Sequence, residues 1–325
     1  EGLVILRWLR REHPRLPALM VTGFRDLETA LRAADLGADF LAWEDVAADP
    51  GVLAARLRRA LEANAGDQES VLARFRELGI VAESPAFAHA LNLLFRAVPG
   101  RAPILLLGET GSGKDTLAWA AHALGGDPLR PYVSVNVASL NPGLIESELF
   151  GHARGAFTGA ERPAVGKLRY AHGGTLFLNE VGDLSEEVQA KLLTVLERSE
   201  VVPVGEVRSQ PAEFRLVTAT SRDLRALVES GRFRRDLFHR IAWHTGALPP
   251  LRERREDIPL LAEHFLDRFR KERASAPVRF SPEALNRMQA YDWPGNVREM
   301  KNAFERAVVM GRPPEIRAED LPAFA

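Results

Sequence analysis

The stretch GETGSGKD, Gly108–Asp115, constrains this chain more than any other. The apolar run Pro103–Leu107 precedes it and the helical pattern TLAWAAHAL follows it. Strand, glycine-rich turn and helix in that order aim backbone N–H groups at one point, where the helix dipole adds positive potential. The arrangement predicts a phosphate cradle in which Gly108, Glu109, Thr110, Gly111, Ser112 and Gly113 form the loop and Lys114 reaches the terminal phosphates. A Ser or Thr hydroxyl usually follows the lysine and faces Mg2+. Here that position is Asp115, with Thr116 one place later, so Asp115 joins the candidates for the metal side.

The surrounding sequence predicts an α/β fold. Strand patterns recur at YVSVNVA, TLFLNEV and FRLVTATS, separated by helical runs, as the crossovers of a parallel sheet require. After Pro249-Pro250 the strand signals stop, and EDIPLLAEHFLDRFRKERA, SPEALNRMQAY and NVREMKNAFERAVVM all have helical spacing. Upstream, PALMVTG and DFLAW read as buried strands among the helical patterns GLVILRWLRREHP, DLETALRAADLGA and PGVLAARLRRALEANAG. The expected organisation is an α/β segment at 1–62, a linker at 63–78, an α/β core at 79–248, a helical unit at 249–312 and a tail at 313–325. A chain of 325 residues is long for a single core.

Composition narrows the partners. A formal net charge of -1 gives no sign of a polyanion partner. Without cysteine there are no disulfides and no thiolate metal sites, and a cytoplasmic location is expected. Apolar runs such as Ile104–Gly108 are far shorter than the ~18–20 residues of a membrane span, so no membrane role is expected. The chain begins with Glu1, and a natural N-terminus is expected to lie upstream.

The run GGTLFLNEVGD, Gly173–Asp183, delivers two polar residues from the end of an apolar strand. Beside a phosphate cradle the first would support Mg2+ through water and the second would polarise the attacking water. The second is Glu180; the first is Asn179, an amide that can accept a hydrogen bond from metal-bound water but brings no charge. Loss of one metal-supporting group costs roughly 10–100-fold, whereas the nucleotide phosphates supply much of the Mg2+ binding. Weakened hydrolysis is therefore expected rather than lost binding. A neutral position in a pure binding protein is the alternative reading of Asn179.

These motifs resemble those of the sigma-54-dependent transcriptional activators, the NtrC family of bacterial enhancer-binding proteins. The most specific element is ESELFGHARGAFTGA, Glu146–Ala160, with the hexapeptide Gly155, Ala156, Phe157, Thr158, Gly159 and Ala160. The resemblance implies a parallel-sheet P-loop AAA+ core with a helical lid, ATP and Mg2+ as cofactors, and that hexapeptide as the contact with sigma-54 in the RNA polymerase holoenzyme. An exposed loop phenylalanine suits a partner contact. It further implies that Asn136 in VSVNVASL communicates the nucleotide state to Glu180, and that Ser221 in FRLVTATSRDL stands at the first sensor position. Arg234 and Arg240 in GRFRRDLFHRI match trans arginine fingers, and Arg298 in WPGNVREMKNAFERAV matches the second sensor. The activity implied is ATP hydrolysis by a hexameric or heptameric ring that remodels the closed promoter complex.

Residues 1–62 resemble the C-terminal half of a flavodoxin-like response-regulator receiver. Thr22 matches its switch hydroxyl, Trp43 falls near the position of its usual lysine, and the phosphoacceptor is expected to precede Glu1. A truncated working receiver and a degenerate packing or dimerisation element both fit. The segment after Met310 is too short for a helix-turn-helix, so promoter DNA is expected to be engaged only indirectly. Two other functions remain: a sigma-54-contacting scaffold that binds nucleotide but scarcely hydrolyses it, and an unrelated P-loop kinase or AAA+ remodeller.

Overall fold

A computed structural model describes residues 5, 6, 8, 19–22, 39–42, 46, 47, 69–125, 129–141, 143–273, 279–310 and 315–321. The chain divides into two compact units, Glu1–Ala73 and Arg74–Ala325. In the first, strands β1 (Leu19–Thr22) and β2 (Asp39–Ala42) pair in parallel, with Thr22 opposite Ala42. These are the strands expected from PALMVTG and DFLAW. Trp43 and the helical patterns at 26–38 and 50–66 lie outside the described residues, as does most of the pattern opening the chain.

The second unit is built on a five-stranded parallel sheet. Its strands in chain order are β3 (Ile104–Leu107), β4 (Tyr132–Asn136), β7 (Thr175–Asn179), β10 (Arg215–Thr220) and β11 (His244–Ala247), arranged β11-β3-β10-β7-β4. Between β4 and β7 the short antiparallel pair β5 (Gly151–His152) and β6 (Ala164–Val165) carries a loop. Between β7 and β10 lies a second such pair, β8 (Glu200–Val201) and β9 (Gln210–Pro211). β7 and β10 are buried along their whole length, which explains the apolar TLFL and the mostly small or apolar LVTAT, in which the buried Thr218 hydroxyl donates to the Ile104 carbonyl. β11 has no apolar run, and HTGA was not readable as a strand. It forms because the edge of β3 accepts it in register, His244 opposite Ile104.

Helices cover the sheet. Pro85–Ala97 starts at Ser84, whose hydroxyl accepts from the Phe87 N–H, and proline occupies its first turn. Glu186–Arg198 is capped by Ser185 in the same way. The lid comprises Asp257–Arg273, Pro282–Ala290 and Asn296–Met310, at the three expected helical runs. Its core gathers Ile258, Phe265, Met288, Phe304 and the fully buried Trp293, whose indole N–H donates to the Met288 carbonyl at 2.8 Å. Two features differ from an all-helical unit with a free tail. β12 (Arg279–Phe280) pairs with β13 (Glu315–Ile316), and Ile316 and Leu321 are buried in the same core.

Parallel strands point one set of ends the same way. The C-terminal ends of β3, β7 and β10 lead into Gly108, Glu180 and Ser221, where an open α/β sheet places its ligand site.

Candidate functional site

The loop leaving β3 turns by left-handed residues at Gly111 (φ 78°) and Gly113 (φ 109°), and the helix Lys114–Leu124 begins directly after it. Gly111 must be glycine for two reasons. Its φ disfavours a side chain, and an added Cβ would stand 2.3 Å from the Gly295 carbonyl oxygen of the lid. Around Gly113 the space is open, since an added Cβ would meet nothing within 4 Å. Lys114 is buried and donates to the Gly108 and Glu109 carbonyls at 2.7 and 3.1 Å. Burial pushes its pKa below the ordinary lysine value, opposed by the nearby Glu180 and Asp115 carboxylates.

Beside the loop lies a cleft of about 730 Å3 whose walls include Ile80, Val81, Phe87, Thr116, Phe265 and Val297. The hydroxyl of Ser112 is buried at its edge and has no hydrogen-bond partner among the described residues. A cleft with apolar and charged walls, Arg254 and Arg268 among them, that ends at a helix N-terminus with an unmet hydroxyl and has Lys114 beside it, suits a nucleotide.

Glu180 stands at the end of β7 in a left-handed conformation, φ 55° and ψ 49°. Its carboxylate Oε1 is 3.7 Å from the Lys114 ammonium. Oε2 accepts from both the backbone N–H and the hydroxyl of Ser221, at 2.9 and 3.0 Å. The expected communication with Asn136 is not made by a hydrogen bond. Asn136 lies in register with Asn179 across the strand pair, but its side-chain oxygen accepts from the Ala138 N–H and caps the following turn. Ser221 takes the position beside Glu180 because β10 is the other neighbour of β7 and ends one residue before it.

Asn179 is buried. Its Oδ1 accepts from the Glu180 N–H at 3.0 Å and its Nδ2 donates to Asp115 Oδ1 at 3.2 Å. Arg298 Nη2 lies 4.0 Å from the other oxygen of Asp115, so Arg298, Asp115 and Asn179 meet at one corner of the cradle. Among the described residues no cluster of three or more His, Asp or Glu forms a metal cage. Mg2+ fits this site only through water and nucleotide oxygens, with Asp115, Asn179 and Glu180 as the protein groups at hand.

A second set of contacts joins the cradle to the lid, and the sequence did not single it out. Arg252 grips Glu109 with both terminal nitrogens, at 2.9 and 2.7 Å. Buried Asn296 donates to Glu109 Oε2 and to the Thr110 carbonyl, and accepts from the Leu251 N–H at 2.7 Å. These hydrogen bonds, Arg252 first and Asn296 second, hold the Glu109 carboxyl down to about 2. Arg254, buried over the Phe87 ring, donates to the Ser112 carbonyl at 2.7 Å, and burial lowers its pKa to about 10. The signal was present as a dense run of arginines in LRERRED and as the asparagine ending WPGN, but nothing local names their partners.

The hexapeptide forms the tip between β5 and β6. Gly155 and Gly159 have φ of 79° and 98°, and the Gly155 N–H donates to the Ala160 carbonyl at 2.8 Å, closing the loop. Phe157, Thr158 and Gly159 are exposed, whereas Ala160 is buried at the base. The Phe157 ring, 37% exposed, rests edge-on against His152 with centroids 4.9 Å apart.

Residues 80–245 match the sigma-54 interaction domain, and residues 252–325 match the AAA+ ATPase lid domain. The transcriptional regulatory protein ZraR of Escherichia coli (strain K12) is 41% identical over 324 residues, 99% of this chain and 73% of that protein. The chain belongs to the sigma-54-dependent transcriptional activators of the NtrC family. NtrX from Brucella abortus, solved in complex with ATP, superposes with a TM-score of 0.70 at 34% identity, covering 99% of this chain and 71% of NtrX. The same protein in complex with ADP gives 0.68 at 35%, over 99% and 73%.

In this activator Arg234 and Arg240, the two arginines expected to act as fingers, lie at the surface around the helix Arg235–Ile241. The Arg234 guanidinium pairs with Asp236, and Arg240 donates to the Leu196 carbonyl. The contacts found for them among the described residues do not reach Gly108–Thr116 of their own chain. No helix among the described residues is long and apolar enough to cross a membrane.

Proposed function

We propose that this chain is a cytoplasmic ATPase that assembles into a hexameric or heptameric ring and activates sigma-54 RNA polymerase by remodelling its closed promoter complex. The observation that carries the reading is Glu180, set at the end of a central strand, 3.7 Å from the cradle lysine and oriented by Ser221. Glu180 takes a proton from water as that water attacks the γ-phosphorus of ATP, releasing ADP and phosphate. Lys114 turns from its loop carbonyls to the phosphate oxygens, and Arg298 approaches from the lid. Bound Mg2+ would neutralise charge on the β- and γ-oxygens. Arg234 and Arg240 act on the neighbouring subunit's nucleotide, where a permanent cation in a planar fork stabilises the developing charge.

Hydrolysis then changes what Glu180 and Ser221 bind, and the exposed tip Gly155–Gly159 carries that change to sigma-54. ATP and ADP complexes of NtrX support the nucleotide assignment. The uncharged Asn179 favours a second reading, a scaffold that binds nucleotide and sigma-54 with little turnover. Phosphate release by the purified chain, beside Lys114→Ala and Glu180→Gln, separates them. Turnover well above both variants supports the ATPase; a rate equal to that of Lys114→Ala leaves the scaffold. Capture of sigma-54 in the presence of a transition-state analogue of ATP tests the partner.

A further inference from the structure

We propose that Gln189 is the positioning residue of Arg234, setting the main chain of that arginine so that its guanidinium meets the nucleotide of the neighbouring subunit. This rests on the reading above, in which hydrolysis uses an arginine in trans. Gln189 lies near the start of the helix Glu186–Arg198 and is fully buried. Its Oε1 accepts from the Arg234 N–H at 2.8 Å. Its Nε2 donates to the Leu184 carbonyl at 2.8 Å and to the Arg232 carbonyl at 3.1 Å. Main-chain N–H groups only donate and carbonyls only accept, so these partners fix which way the carboxamide faces, and both of its hydrogens are used.

These bonds join two segments that the proposed mechanism assigns to different nucleotides. Leu184 ends the turn Val181–Asp183 that follows Glu180, and Arg232 to Arg234 lead into the helix Arg235–Ile241. Val188, Leu192 and Val195 share one apolar core with Phe233, Leu237 and Ile241, so the two helices pack together. Apolar contact is not directional, and the carboxamide is what sets the place of Arg234 along it. Arg234 is the N-cap of its helix but its side chain caps no N–H there; its guanidinium is held by Asp236, two residues on, which moves with it. Glu180 is fixed from elsewhere, by Ser221 and by the Asp183 N–H, which donates to the Glu180 carbonyl at 3.0 Å. Loss of the Gln189 carboxamide therefore falls on Arg234 more than on the subunit's own glutamate. Three main-chain groups would lose this partner and shift toward others.

The test measures steady-state phosphate release by the full chain and its variants, at concentrations where the rate per chain no longer changes. Gln189→Met keeps the length of the side chain without its hydrogen bonds, and Gln189→Glu keeps an oxygen for the Arg234 N–H. Gln189→Met is expected to lower kcat about 10–100-fold with KM for ATP within about threefold of the parent, as misplacement of a group that acts in the transition state does. Gln189→Glu should fall between the two. Melting temperatures show which variants are folded, and Gln189→Glu carries the test if Gln189→Met is not. The deciding arm mixes Gln189→Met, and separately Arg234→Ala, with an excess of Glu180→Gln, whose own site does not turn over but whose arginines are unaltered. Each variant chain then receives a normal arginine from its neighbour, and its rate per chain should rise, whereas parent chains gain nothing. The inference is overturned if the Gln189 variants keep the parent kcat, if neither folds, or if Glu180→Gln rescues Arg234→Ala and not Gln189→Met. If Arg234→Ala keeps the parent rate, or the parent is no faster than Lys114→Ala, the trans-arginine reading itself fails and the inference falls with it.

Discussion

The carboxylate of Glu180 is held by Ser221 through two donors, one from the main chain and one from the hydroxyl, on the same oxygen. The main-chain donor survives substitution and the hydroxyl does not. Hydrogen bonds to charged groups contribute about 1.5–3 kcal/mol, and 1.4 kcal/mol is a factor of ten. Ser221→Ala should lower kcat roughly tenfold with KM for ATP little changed, because the hydroxyl orients the base and leaves ground-state binding alone. Glu180→Gln should lower kcat by about 10²–10⁴ while nucleotide affinity persists. Steady-state phosphate release and equilibrium nucleotide binding measure both; a Ser221→Ala enzyme with unchanged kcat would remove Ser221 from the machinery.

Glu109 ties the cradle to the lid as an anion. Its folded pKa, about 2, is below the ordinary 4.5, so the folded form releases its proton more readily than the unfolded chain does. The contact therefore stabilises fully above that ordinary value and fades as pH falls toward the folded one. Urea unfolding of the chain and of Glu109→Gln should show a stability gap at pH 7 that narrows at pH 3.5. A gap that widens on acidification would contradict the assignment.

Gly111 faces the lid backbone, which cannot swing aside as a flexible side chain could. Gly111→Ala adds left-handed strain of about 1–2 kcal/mol and a collision with the Gly295 oxygen. The chain should stay folded with a melting temperature lower by several degrees, and lose at least tenfold in nucleotide affinity as the lid is pushed back. Isothermal titration with ADP and a thermal melt report the two effects separately.

Fully buried Asp257 joins the lid to the helix Pro85–Ala97 by accepting from the Glu83 N–H at 2.6 Å, the Ser84 N–H at 2.7 Å and the Ser84 hydroxyl at 3.0 Å. Alanine at 257 would strand all of these donors away from water. Destabilisation of about 3–5 kcal/mol is expected by denaturant unfolding, and less than 1 kcal/mol would show that water replaces the carboxylate.

Phe157 contributes little to folding, since its ring is partly exposed and touches His152 only by its edge. Phe157→Ala should melt within about 2 °C of the parent, as expected for a change under 1 kcal/mol. It should keep its ATPase rate and lose sigma-54 in the transition-state-analogue capture. Loss of ATPase with it would assign the ring to the catalytic domain instead.

Much of this site was legible along the chain because its determinants are local. Lys114, Glu180 and the left-handed glycines follow from short-range order: a strand ends, glycines turn it, and a helix or sharp bend begins. β3, β7 and β10 announced themselves by runs suited to burial on both faces, and the edge strand β4 by the alternation in YVSVN. β11 did not, since an edge strand can form from HTGA once a neighbour offers its hydrogen-bonding edge.

The sequence alone thus located the cradle, Glu180 at the end of its strand and the exposed hexapeptide, because local backbone order places all of these. Only the tertiary structure decided which polar groups answer one another. Ser221 meets Glu180 across 41 residues, Asn179 meets Asp115 across 64, and Arg252 meets Glu109 across 143. No periodicity encodes those pairings. They arise because parallel strands bring distant C-terminal ends together and the lid core sets its arginines against the loop, leaving each donor to take the acceptor that packing puts in reach.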